Sequence, residues 1–156
     1  MRGSIPDVYA VPDSIFIAIA VWAIVEERRF GVSLHYVEPE IDAGDLIAER
    51  EIIYDWTATG QSLHQEAEKA MIDLFVEQYP SIRNNKSLRR PQELSVGSSH
   101  FGKELDPQSH IFLDKTYTGR EILNLLRART FAGRPGCFFE DNGESYEINI
   151  AIEKRQ

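Results

Sequence analysis

Cysteine is nearly absent from this sequence of 156 residues. Cys137 is the only one, so no disulfide can form within the chain, and a metal site built from cysteines is disfavoured. The four histidines show no spacing typical of metal ligands, so we predict no metal site. A lone cysteine in a predicted strand is typical of a protein in a reducing compartment, and we expect a cytoplasmic location.

Positive charge and long apolar runs are also scarce. The 17 Lys and Arg residues are outnumbered by 25 Asp and Glu, which gives a net charge of −8. Because phosphate backbones bind to basic surfaces, a nucleic-acid partner is disfavoured. One apolar run, Ile15 to Val25, has eleven residues, whereas a membrane span needs about 20. The run predicts a buried helix, capped by Asp13 or Ser14 and ending near Arg28, and no membrane partner.

Two β-type runs surround an acidic loop. Gly31 to Val37 alternates small or polar with apolar residues, Pro39 interrupts the pattern, and Leu46 to Tyr54 forms the second run. Such a loop presents carboxylates on rigid supports. Asp42 and Asp45 beside a glycine are also typical turn formers, and a histidine in a strand is often a core residue, so the residues alone leave these alternatives open.

A long amphipathic helix follows, predicted over Gln61 to Pro80 with a capping box of Ser62 and Gln65. Its expected apolar stripe consists of Leu63, Ala67, Ala70, Met71, Leu74 and Phe75. Residues 86–112 are predicted to be a linker whose basic cluster near its start is either solvated or anion-binding.

The last segment, residues 113–156, predicts a helix and a hairpin. Thr118 and Glu121 form a capping box, and Asn142-Gly143 is a strong hairpin signal between two β-type runs. One face of the second strand is expected to be buried, namely Tyr146, Ile148, Ile150 and Ile152.

Several of these motifs together resemble the folate-dependent formyltransferases. They are the Gly31 to Val37 run, Ile41-Asp42-x-Gly44-Asp45-x-Ile47, Thr59-Gly60-Gln61-Ser62-Leu63, and Leu125 to Phe131 followed by Arg134-Pro135-Gly136. The family includes methionyl-tRNA, glycinamide-ribonucleotide and amino-sugar N-formyltransferases, and the C-terminal motif is most similar to the amino-sugar type. The resemblance implies N10-formyltetrahydrofolate as co-substrate and a nucleotide-linked amino sugar as acceptor, with methionyl-tRNA as the alternative substrate.

The resemblance also implies roles for individual residues. Asp42 matches the catalytic Asp of the family, and His35, Ile41, Gly44 and Asp45 are expected to bind the folate. The family pairs that Asp with an upstream Asn-x-His, and this sequence contains no Asn-x-His. We therefore expect the C-terminal portion of a formyltransferase, inactive by itself.

The expected fold class is α/β. A partial Rossmann-like domain (residues 1–85) precedes the linker (86–112) and a small α+β helix–hairpin unit (113–156). Exposed apolar surface on the Ile15–Val25 helix and the Gly31–Val37 strand is expected to cause self-association or binding of an N-terminal fragment. Two other interpretations remain: a non-catalytic binding or assembly module derived from a formyltransferase, and an α/β domain that shares only the fold.

Overall fold

A computed structural model describes residues 13–37, 44–91 and 109–155. In chain order they form α1 (Asp13–Val25), β1 (Phe30–His35), β2 (Leu46–Ile52), α2 (Gly60–Arg83), α3 (Gly119–Ala128), β3 (Cys137–Asp141) and β4 (Glu144–Ile148). β1 pairs with β2 and β3 with β4, both antiparallel. Helices with small sheets agree with the predicted α/β class. Both ladders in these residues are antiparallel, so they do not test the parallel Rossmann-like sheet. That sheet stays a prediction.

The first helix is shorter than predicted and ends at Val25 instead of Arg28. Glu27 adopts a left-handed conformation (φ 53°), its N–H donates to the Ile24 carbonyl, and the N–H of Arg28 donates to the Ala23 carbonyl at 2.9 Å. These two bonds form a Schellman motif, which satisfies the last carbonyls and turns the chain into β1. A non-glycine residue at the left-handed position hid this end from sequence analysis.

The second helix is longer than predicted at both ends, and its predicted cap is wrong. Thr59, not Ser62, is the N-cap: its hydroxyl accepts from the Ser62 N–H, and the Ser62 hydroxyl accepts from the Thr59 N–H. Pro80 lies inside the helix, which continues to Arg83 and ends in a second Schellman motif with Asn85 at φ 53°. None of the helices in the described parts of the chain has the length and apolar character to cross a bilayer.

One hydrophobic core joins α1, α2, β1, β2 and α3. Its buried residues are Ile17, Ala18, Ala20, Val21, Trp22, Ala23, Ile24, Phe30, Val32, Ile52, Leu63, Ala67, Ala70, Leu74, Ala128 and Phe131. Along α1, the side chains from Ile17 to Ile24 are buried within the chain, and only Ile19 is half-exposed. The exposed surface that we expected on this helix is therefore absent from that stretch, because the chain supplies the cover.

The first part of the predicted linker pairs with the sheet through its backbone, while most of its side chains remain exposed to solvent. Arg90 forms a two-way backbone bridge with Leu46 at the start of β2, at 2.7 and 3.0 Å. The Arg90 guanidinium also lies 2.8 Å from the Glu49 carboxylate. Both residues of this ion pair are exposed, so the backbone bridge contributes more to the docking than the charges do.

The C-terminal hairpin has the predicted turn but not the predicted burial. Asn142 and Gly143 take positive φ values of 50° and 83°, as the short turn requires. β4 ends at Ile148, and Tyr146 is half-exposed. Only the base of the hairpin is buried: Cys137 is inaccessible, and its thiol donates to the Leu125 carbonyl of α3. The face of β4 that was predicted to be buried is largely exposed, because α3 covers the base of the hairpin and not the length of the strand.

Candidate functional site

The loop that was predicted to carry the catalytic Asp begins and ends at one edge of the β1–β2 ladder. His35 pairs with Leu46, with a register shift between Leu34 and His35. One residue further, the Tyr36 N–H donates to the Asp45 carbonyl at 2.9 Å. Ile41 and Asp42 lie outside the described residues, so their predicted roles stay predictions. The structure describes His35, Gly44 and Asp45, and it brings them together at the stem of this loop.

Gly44 is required at the stem by close packing. A Cβ at this position would collide with the carbonyl oxygen of Tyr36, a backbone atom of the residue whose N–H is bonded to the Asp45 carbonyl. Gly44 is buried, and His35 and Asp45 are half-buried beside it. The glycine that the resemblance assigned to folate binding thus has a structural role: it lets the two ends of the loop approach each other.

Tyr36 and Arg89 clamp the stem from the side of the docked linker. The Arg89 guanidinium carbon lies 3.8 Å from the centroid of the Tyr36 ring, and Nη1 lies 3.8 Å from Asp45 Oδ2. The Tyr36 hydroxyl is hydrogen-bonded to the Ser87 hydroxyl. No local sequence pattern predicts this clamp, because its contacts join residues about fifty positions apart. The one signal in the sequence was the basic cluster itself, for which anion binding was one of the two interpretations. In the structure, Arg89 of this cluster lies near an anion of the same chain, the Asp45 carboxylate.

A second polar cluster lies where α3 packs against the turn after β2. Arg127 is buried, and its Nη1 donates to the Asp55 and Ala58 carbonyls at 2.7 and 3.2 Å. Its Nε donates to Asn124 Oδ1 at 3.0 Å. Burial lowers the pKa of Arg127, although the group remains a cation at neutral pH. The Trp56 ring covers this guanidinium, with the Arg127 carbon 4.7 Å from the ring centroid.

Two sequence motifs meet at this junction. A Cβ on Gly60 would collide with the Ala128 carbonyl oxygen and would lie 2.5 Å from Cε2 of Phe131. The Gln61 side chain accepts a hydrogen bond from the Ala132 N–H at 2.7 Å. The Thr59-Gly60-Gln61 motif and the segment from Arg127 to Ala132 therefore recognise each other by close packing, a relation that the sequence alone did not predict.

Two open cavities flank the same junction. One, of about 640 Å³, lies against the 130–135 loop and is bounded by Gln61, Glu147 and Asn149. The other, of about 350 Å³, lies between Arg28, Glu51 and Trp56. Neither is lined by His35, Gly44 or Asp45. Within residues 13–37, 44–91 and 109–155, no three His, Cys, Asp or Glu side chains are grouped as metal ligands.

Comparison with known proteins gives consistent matches. Residues 104–154 match the family model described as "N-formyltransferase dimerization C-terminal domain". A dTDP-4-amino-4,6-dideoxyglucose formyltransferase from Mycobacterium bovis is 25% identical over 135 residues, covering 85% of this chain and 57% of the relative. The crystal structure of a 4-N formyltransferase from Francisella tularensis superposes with a TM-score of 0.79 and 27% identity, covering 87% of this chain and 56% of that one. A sugar 3N-formyl transferase crystallised with dTDP and 5-N-formyl-THF gives a TM-score of 0.61, 26% identity, and coverage of 72% and 40%.

Residues 104–154 match the C-terminal domain of N-formyltransferases, and most of the chain is similar to sugar N-formyltransferases. The chain spans 57% and 56% of the length of the first two relatives given above and 40% of the third. The predicted resemblance is therefore confirmed at the level of the family. In the structure, the Thr59-Gly60 and Arg127-Ala128 motifs meet at the joint between α2 and α3.

Carboxylates around the second polar cluster predict how stability depends on pH. Hydrogen bonds from Lys154, then from Thr57, hold the pKa of Asp55 well below its usual range. Hydrogen bonds from Asn124, then from Arg120, lower the pKa of Glu27. Since the unfolded chain binds these protons first, with ordinary pKa values of about 3.9 and 4.3, the unfolding free energy is fully developed above about pH 5 and decreases as the pH falls further.

Urea unfolding at pH 7 and at about pH 3.5 measures this dependence. Asp55→Asn should flatten it, because the variant has no carboxylate to protonate at that position. Glu66→Gln, on an exposed position of α2, serves as the control and should leave the dependence as it is in the parent chain. The carboxylates of Asp55 and Glu27 are both exposed, so the expected change in the free energy of unfolding is modest. Equal flattening by both substitutions would contradict the assignment.

Proposed function

We propose that this chain supplies the C-terminal portion of an N-formyltransferase that uses N10-formyltetrahydrofolate and a nucleotide-linked amino sugar. The observation that supports this most directly is the similarity to sugar formyltransferases over 85% of the chain. It includes the stem of the Asp42 loop, closed by the Tyr36–Asp45 backbone bond. We infer the same division as from sequence: part of a Rossmann-like domain in residues 1–85, a connection in 86–112, and a helix–hairpin unit in 113–156.

The proposed chemistry is attack of the amine on the formyl carbon, giving a tetrahedral intermediate that collapses as the bond to N10 breaks. Asp42 would help remove the proton of the amine, which requires a partner imidazole within about 2.6–3.2 Å. His35, Ile41, Gly44 and Asp45 would form the folate side of the site. In this proposal Asp45 acts through the Arg89–Tyr36 clamp, which fixes the end of the loop.

We infer that the Asn-x-His pair, which would supply the oxyanion donors of the reaction, comes from outside this sequence, because the sequence contains no Asn-x-His. Removing a single oxyanion donor typically lowers the rate by about 10²–10³. In residues 13–37, 44–91 and 109–155, β1 has a ladder partner on one side only, β2, so further strands of a larger sheet could add at its other edge.

The activity of the chain alone and in combination tests this proposal. We expect no formyl transfer from N10-formyltetrahydrofolate to a dTDP-amino sugar by the isolated chain. Addition of the N-terminal half of the Francisella enzyme should restore turnover, and Asp42→Asn should reduce it at least about a hundredfold, whereas Asp73→Asn on α2 should not. Turnover by the chain alone that Asp42→Asn abolishes would contradict the proposal.

A second candidate function is that of an assembly module. The matched model for residues 104–154 is named for dimerization, and this region exposes apolar side chains at Phe112, Leu113 and Tyr146. If the two halves form a stable complex that remains inactive, this candidate is favoured over catalysis. The sequence-based alternative of methionyl-tRNA as substrate is disfavoured by the net charge of −8.

A further inference from the structure

Helix α2 has a second apolar face that the fold does not use. Its first face, Gly60, Leu63, Ala67, Ala70 and Leu74, is buried in the core. The second face consists of Ile72, Phe75, Val76 and Tyr79, which are 63%, 38%, 64% and 47% exposed. Their spacing of three, one and three residues places them in one stripe along the helix. A helix that packs by a single face normally carries polar residues at such positions.

The second face is preorganised for packing. The rings of Phe75 and Tyr79 contact each other at 5.6 Å between centroids, tilted by 44°. Glu77 points elsewhere, because its carboxylate accepts two hydrogen bonds of 2.7 Å from Arg50 on β2. Contiguous apolar surface is uncommon on monomeric proteins, and large patches of it mark interaction sites.

The charges at the two ends of the stripe suit a second copy of the same helix. Ile72 and Tyr79 are equally far along the helix from the midpoint between Phe75 and Val76, and so are Glu68 and Arg83. If two copies of α2 pack antiparallel about that midpoint, Ile72 lies opposite Tyr79. Each end then brings Glu68 of one copy towards Arg83 of the other. A two-fold interface requires this kind of self-complementarity.

We propose that α2 is a self-association surface, on which a second copy of this chain packs antiparallel with Val76 near the two-fold axis. This interface is separate from the helix–hairpin unit, and it does not depend on the proposed catalytic function. A stripe on one helix buries less than the roughly 800 Å² per partner of a standard interface, so the association is weak when α2 acts alone.

Cross-linking of the full chain tests the position of the axis. Val76→Cys should form a disulfide between two copies under mild oxidation, because residues beside the axis bring their Cβ atoms within disulfide range. Glu66→Cys, which is exposed on α2 but off the stripe, is the matched control and should not cross-link. The native Cys137 is buried and does not compete. Equal cross-linking by both variants, or none by Val76→Cys, would overturn the proposal.

Charge reversal tests the register. Glu68→Arg and Arg83→Glu should each weaken self-association in sedimentation equilibrium by about threefold or more, since each places like charges at both ends of the stripe. The double variant should restore it. Val76→Glu should weaken it by at least about tenfold, because a charge would be buried at the axis. If none of the four variants changes self-association, the contact between copies lies elsewhere, on the C-terminal hairpin or through another protein partner. That result would overturn the α2 interface.

Discussion

Gly60→Ala should destabilise the fold by about 1–3 kcal/mol, although alanine is the better helix former. The added Cβ would collide with the Ala128 carbonyl oxygen and would lie 2.5 and 2.9 Å from two ring carbons of Phe131. Neither neighbour can move freely: Ala128 is fully buried and Phe131 belongs to the core. To relieve the contact, α2 and α3 must separate at their joint, which loosens the packing of both helices.

Gly119→Ala provides the matched control. Gly60 and Gly119 each follow a threonine N-cap and open a helix, but no atom lies within 4 Å of a Cβ placed on Gly119. Alanine there should be neutral or stabilising by about 0.4–1 kcal/mol, because it reduces the freedom of the unfolded chain. Urea unfolding of the two variants and the parent measures both effects. If both substitutions change the free energy of unfolding in the same direction, helix propensity decides the outcome and the packing at the α2–α3 joint does not.

Local signals predicted most of the elements. The capping box of Thr118 and Glu121 correctly gave the start of α3, and the Asn-Gly turn correctly gave the last hairpin. The errors occur where local signals compete. Ser62 has a glutamine three positions later, which is typical of an N-cap, yet Thr59 caps the helix because Gly60 must reach Ala128. Tertiary packing thus selected the cap, and no local pattern reports that packing.

The candidate site was predicted less completely than the fold. The motif that contains Gly44 and Asp45 was identified by resemblance, and the structure places both residues at the stem of the predicted loop. The clamp of Arg89 and Tyr36 was not predicted, since it depends on a linker that returns to the sheet. The buried Arg127 was also missed as a structural residue. An arginine within an apolar helix face is rarely buried without partners, and its partners here are backbone carbonyls that a sequence does not reveal.

Arg127→Met should have the largest effect on stability, a loss of about 2–5 kcal/mol. Arg127 is only 4% exposed, and its guanidinium donates to two carbonyl oxygens and to Asn124. Methionine preserves much of the volume but removes the donor to the Ala58 carbonyl and to Asn124 Oδ1, whereas the Asp55 carbonyl keeps a hydrogen bond from the Ala58 N–H. Each buried acceptor left without a partner costs about 1–3 kcal/mol. Arg127→Lys should recover little, because one ammonium group cannot reach acceptors that the planar guanidinium holds on two sides.

Arg120→Met is the control that separates this network from the other contacts of α3. Arg120 also lies near the Trp56 ring, at 5.1 Å, and its Nη1 contacts Glu27 at 2.6 Å, but its side chain is 63% exposed. Removing such an exposed pair should cost no more than about 1 kcal/mol. Urea unfolding at neutral pH, followed by the fluorescence of Trp56 at the junction together with that of Trp22 in the core, compares the variants. If Arg127→Met and Arg120→Met cost the same, the buried hydrogen bonds do not join the C-terminal helix to the turn after β2.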